Sequence, residues 1–170
     1  MGQNWRYSKG IWNRLSIPKH RFILWLALKQ RLMTRERLAK MGITECTDCC
    51  LCGVDTETHE HLFFECGFSR RCLIQLHLWL GVRRHDFSLY QHMTWLLRSH
   101  ETGSFHRKVI MTSVAALVYQ VWRARNDALW NNKVPSIQSA VQQIKFNVKH
   151  RINQVYKNMT PMEHRWFDLL

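Results

Sequence analysis

Apolar residues recur along most of the chain at intervals of three and four, the spacing of one face of a helix. Turn-forming residues are sparse, with seven Gly and three Pro among 170 positions, so helices dominate the reading. Ile11 to Leu15 reads as a short turn. Pro18 opens the run PKHRFILWLALKQR at a first helical position, where its missing N–H costs nothing, and the pattern continues to about Arg31. Phe22, Trp25, Leu26 and Lys29 share one stripe there. Ile23, Leu24, Ala27 and Leu28 widen it, so this helix is expected to be buried on most sides. Thr34 caps TRERLAKM and Gly42 stops it, with Leu38 and Met41 facing inward. Ser69 caps a helix ending at Leu80 before Gly81, with Leu73, Leu76, Trp79 and Leu80 at helical spacing. Asp86 or Ser88 opens another to about Arg98. The stretch SHETGS, 99–104, reads as a linker. Residues 105–132 form a long helix that ends before Pro135. Ser136 caps a last helix to about Asn158. The expectation is two regions, 1–98 and 105–170, mainly α, forming a helical bundle with a small cysteine-rich knuckle (short β-turn elements) inserted at 46–66.

Composition narrows the class. A chain of about 150 residues hides roughly 70% of its unfolded surface, and 46% apolar residues exclude a disordered polymer. No apolar run approaches the roughly 18 residues of a membrane span, so no membrane partner is expected. The opening MGQNWRYSKG lacks the apolar stretch of a signal peptide. Six cysteines then read as metal ligands or free thiols rather than disulfides. Localisation is left open beyond an intracellular setting, nuclear or cytoplasmic.

Charge changes the picture further. The net charge of +13 favours a polyanionic partner. It is uneven: residues 1–45 carry +8, whereas 46–66 carry five acids and no Lys or Arg. Basic segments therefore flank an acidic, cysteine-rich one. Candidate nucleic-acid contacts are Lys19, Arg21, Lys29, Arg31, Arg35, Arg37 and Lys40, followed by Arg70, Arg71, Arg83 and Arg84. Trp12, Trp25, Trp79 and Trp122 lie on apolar stripes and read as core rather than as platforms for bases.

The segment ECTDCCLCGVDTETHEHLFFEC concentrates the chemistry. Cys49 and Cys52 form a C-x2-C pair followed by Gly53, and His61 and Cys66 form a second pair. Four Cys/His ligands in two close pairs are the usual set of a closed structural zinc site. Cys46 could replace Cys49, and His59 could compete with His61; Cys50 points elsewhere, and Cys72 reads as a buried apolar residue. Catalytic zinc keeps an open position, zinc deaminases place H-x-E before C-x-x-C, and there is no H-E-x-x-H. No convergent catalytic group set is visible, so neither an enzyme nor a small-molecule substrate is expected.

The block IWNRLSIPKHRFILWLALKQRLMTRERLAKMGI, then C-x-x-C-G, then ETHEHLFFECGFSRR resembles the zinc-binding domain that follows the reverse transcriptase of plant LINE-type non-LTR retroelements. The later VYQVWRARNDALW is similar to a downstream segment of that family that carries Trp, Arg and Asn, here Trp122, Arg125 and Asn126. The resemblance implies a non-catalytic accessory module that helps hold template RNA or target DNA, with structural Zn²⁺ on Cys49, Cys52, His61 and Cys66. It does not carry polymerase activity to this chain, which has no Asp-Asp pair. The competing readings are a protein-interaction module docking to a polymerase or other partner, and a non-functional retroelement relic.

Overall fold

The computed structural model describes residues 8–83, 88–98 and 103–170. Eight α-helices lie among them: α1 (Ser8–Ile11), α2 (Pro18–Leu28), α3 (Arg35–Lys40), α4 (Gly67–Leu80), α5 (Leu89–Arg98), α6 (Ser104–Asn131), α7 (Ile137–Val155) and α8 (Pro161–Asp168). A π-turn (His61–Glu65) runs directly into α4. The described residues contain no strand, only an isolated antiparallel bridge between Asp48 and Thr56. Mainly helical architecture with a small inserted knuckle is therefore what the chain adopts.

The 28-residue helix α6 is the spine, about 42 Å long at 1.5 Å per residue. It is buried on most sides, from Phe105 through Val109, Val114, Val118 and Val121 to Ala128. Helix α2 packs on it from one side and α7 from another, while α4 bridges α6 and α7. The buried residues of 1–98 and of 105–170 form one contiguous core. Of the expected linker, residues 99–102 lie outside the described residues, and Ser104 already begins α6.

Local rules place several ends. Thr34 accepts the Arg37 N–H, Ser136 accepts the Ser139 N–H, and Ser88 accepts the Gln91 N–H at the start of α5. Each hydroxyl satisfies a donor that the first helical turn leaves without a partner. Asp86, the other expected opener of α5, lies outside the described residues. Gly81 ends α4 at φ +67, a conformation that costs glycine little.

Six expectations are corrected. Helix α2 stops at Leu28, because Gln30 takes φ +51 and turns the chain before Arg31. Its buried side is His20, Leu24, Ala27 and Leu28, and Phe22 is 48% exposed; a helix apolar all round leaves its orientation to its neighbour, here α6. Helix α4 begins at Gly67, not at a Ser69 cap: Ser69 is buried and donates its hydroxyl to the Leu62 carbonyl. Met41 is 55% exposed rather than inward, and Trp12 is 48% exposed rather than core. Helix α7 ends at Val155, and an unforeseen α8 follows. Thr160 and Glu163 form a reciprocal capping box at its start.

Candidate metal centre

The knuckle begins as a tight loop. The Cys49 N–H donates to the Asp55 carbonyl and the Glu57 N–H to the Thr47 carbonyl, both at 2.8 Å. Inside that loop the Gly53 N–H donates to the Cys49 carbonyl at 2.8 Å, with Gly53 at φ +67. This sharp turn folds Cys52 back beside Cys49.

The second pair needs a different device. Five residues along an α-helix amount to about 500° of rotation, leaving His61 and Cys66 about 140° apart. The π-turn removes this mismatch. The Cys66 N–H donates to the His61 carbonyl at 2.7 Å, the i→i+5 bond that defines it. Thr58 starts the turn by accepting the His61 N–H at 2.9 Å. Leu62, Phe63 and Phe64 are buried within it, so the apolar run between the ligands anchors the turn in the core.

The result is one cluster. The ligand atoms of Cys49, Cys52, His61 and Cys66 all lie within 4.8 Å of one another. Cys49 Sγ and Cys66 Sγ are 3.9 Å apart, and Cys52 Sγ is 3.4 Å from His61 Nε2. Zn–S bonds of about 2.3 Å and a Zn–N bond of about 2.05 Å in tetrahedral geometry require edges of about 3.8 and 3.6 Å. The residues therefore fit zinc. Cys49, Cys66 and His61 are buried and Cys52 half-buried. Asp55 Oδ2 stands 3.8 Å from His61 Nδ1, on the side from which a carboxylate orients a ligating imidazole. Without metal, the Cys49 thiol donates to the Cys66 sulfur, which lowers the Cys66 pKa and raises that of Cys49.

The competing ligands fall elsewhere. Cys46 is exposed and accepts from Arg35 Nη1 at 3.2 Å. Cys50 is half-buried; burial first, then Glu57, pushes its thiol pKa up. His59 sits among residues of α3, and burial followed by Arg37 lowers its pKa. Cys72 is buried in α4, and burial pushes its thiol up to about 12.

A buried ion pair, not foreseen as a contact, locks the knuckle to the bundle. Glu57 is fully buried and Arg125 is 3% exposed. Glu57 Oε1 accepts from the Arg35 backbone N–H and from Arg125 Nε, each at 2.9 Å, with Arg125 Nη2 also at 2.9 Å. Glu57 Oε2 accepts from the Cys50 N–H at 3.2 Å. One carboxylate thus joins the knuckle, α3 and α6. Arg125 also lies 5.0 Å from the Trp122 ring centroid and donates to Asn126 Oδ1 at 3.1 Å. The segment holding Trp122, Arg125 and Asn126 was the legible trace of this contact.

The candidate cations divide by environment. Lys19, Arg31, Lys40, Arg70, Arg71 and Arg83 are exposed, while Arg21, Lys29, Arg35 and Arg37 are half-buried. Arg84 lies outside the described residues. Several have protein partners. Arg35 donates to the Asp48 carbonyl, Arg37 to the Gln30 carbonyl, and Lys40 pairs with Glu36. Lys19 lies over Tyr119, Arg21 over Trp12 and Lys29 over Trp25.

Residues 2–72 match the family described as zinc-binding in reverse transcriptase. Searches of curated proteins and of solved structures each returned no match.

Proposed function

With a reverse-transcriptase zinc-binding segment making up its first part, we propose that this chain is a non-catalytic accessory module that binds nucleic acid, template RNA or target DNA, of the kind carried by LINE-type retroelements of plants. The observation that carries this reading is the separation of charge from metal. Three thiolates, a neutral imidazole and Zn²⁺ leave the centre anionic, and Asp48, Asp55 and Glu65 are exposed around it. The knuckle is thus a poor phosphate binder. Its four ligands fill a tetrahedral shell, so the metal holds the fold together. The excess positive charge lies on the helices that it braces, where phosphates are bound by Lys and Arg with release of counterions.

The test is titration of the zinc-loaded protein with labelled single-stranded and duplex oligonucleotides across a salt series. Log affinity should fall linearly with log salt. Undetectable binding at low salt, or an affinity indifferent to salt, overturns the reading. A second reading, docking to a polymerase, draws on Val54, 77% exposed at the knuckle tip beside exposed Asp55. It predicts that reversing the exposed Asp48 and Glu65 abolishes protein binding and leaves nucleic-acid affinity intact.

A further inference from the structure

One concavity is remote from the knuckle. It is a cleft of about 910 Å³ between the α1–α2 loop, α2, α6 and α7. Arg14, Arg21, Lys108 and Arg151 line it, together with Trp12 and Tyr156, and no described carboxylate does. These four cations come from four separate parts of the chain. Convergence of like charge is unfavourable in the free protein and favours an anion in the cleft. Lys108 and Arg125 are 17 residues apart on α6, which puts about 26 Å of helix between the cleft and the Glu57 contact.

Two of the cations are held with donors to spare. Arg21 spends Nη1 on the Asn13 carbonyl and Arg151 spends Nη2 on the Arg14 carbonyl, both at 3.3 Å. Anchored guanidiniums with unused donors are suited to phosphate oxygens. Trp12 adds a flat surface: it is 48% exposed, with the Arg21 guanidinium 5.4 Å from its ring centroid. An indole beside a phosphate-binding arginine is the pairing used for unpaired bases, which stack on aromatics while their backbone lies along cations. The cleft has the volume of a small-ligand site, and a duplex does not enter it.

We propose that this cleft binds one or two nucleotides of a single strand, phosphates against Arg14, Arg21, Lys108 and Arg151 and a base against Trp12. The proposal rests on the nucleic-acid reading above and makes it local. It singles out Arg14, Lys108 and Arg151, which sequence alone does not mark as contacts.

The experiment is fluorescence anisotropy of the zinc-loaded full chain with a labelled single-stranded 12-mer and a hairpin duplex. Arg14 and Lys108 are exposed, so the variant R14E/K108E tests charge without disturbing the core; W12A tests stacking. R70E/R71E reverses two exposed cations on α4, away from the cleft. R14E/K108E should weaken single-strand binding at least tenfold and reduce the salt slope by more than one. W12A should weaken it about tenfold with the slope unchanged. R70E/R71E should weaken strand and duplex alike, and the strand less than R14E/K108E does, and the duplex should respond to W12A not at all. If R70E/R71E abolishes binding while the cleft variants match the wild type, the cleft proposal falls and the nucleic-acid reading stands. Equal effects of all variants on strand and duplex also overturn the cleft, leaving a diffuse electrostatic surface. No binding by the wild type overturns the broader reading itself.

Discussion

Glu57 and Arg125 show how much one side chain can decide. Both are buried, and each is the other's counter-charge. Removing one partner of such a pair leaves a charge without compensation in low dielectric, at a cost of about 3–5 kcal/mol. Glu57→Gln and Arg125→Met should each lower stability by about that amount. The double variant should lose clearly less than the sum, because it strands no charge. Urea unfolding of the three variants checks this; strict additivity would mean that the two side chains do not depend on each other. His20 makes a second prediction. It is buried and stacked 4.4 Å from Tyr119, and burial, then Lys19, lowers its pKa to about 4. The unfolded value is about 6.5. Between these values only the unfolded chain binds the proton, so stability is full above pH 6.5 and is lost as pH falls toward 4. His20→Gln should be less stable at neutral pH yet lose less on acidification from 7.5 to 5.5. Equal pH slopes of Tm for the two proteins would refute it.

Among the elements, what was legible in sequence is what is local. Thr34, Ser88 and Ser136 cap helices because a hydroxyl three residues from a free N–H suffices, whatever surrounds it. The four zinc ligands were legible because tetrahedral chemistry restricts their identity and spacing. Helix α8 was equally legible, since Thr160-Pro161-Met162-Glu163 holds a complete capping box, but its short apolar face went unread. The π-turn was hidden: an x4 interval resembles any short helix until the metal demands both ligands on one side. Likewise, the inward face of α2 is set by α6, which begins 76 residues after α2 ends. The π-turn also carries a prediction. Zinc holds both of its ends, and α4 continues from it. Chelation, or Cys66→Ser, should raise hydrogen exchange across residues 46–72, whereas α6 and α7, joined through their own apolar faces, remain protected. Unchanged exchange in 46–72 after complete zinc removal would show that the apolar run alone holds the turn.

Over the whole molecule, the helices form one core, although the match to a known family stops at residue 72, within α4. The residues beyond it close the other side of that core: α6 packs on α2, and α7 packs on α4. Net charge was readable from composition, but its distribution in space was not. Arg35 and Arg37, conspicuous in sequence, point into backbone carbonyls. Arg14, Lys108 and Arg151, scattered along the chain, line one cleft.

The Glu57–Arg125 contact spans 68 positions, and this sets an order of events as the chain leaves the ribosome. The last zinc ligand, Cys66, emerges 59 residues before Arg125. At about 5–20 residues per second, the knuckle has several seconds to capture metal while Glu57 still lacks its cation. A chain that meets zinc in that interval presents α6 with a carboxylate already fixed in position. One that does not must bury Arg125 without a prepared acceptor. Zinc present during cell-free synthesis is therefore expected to give more folded protein than the same zinc added afterwards.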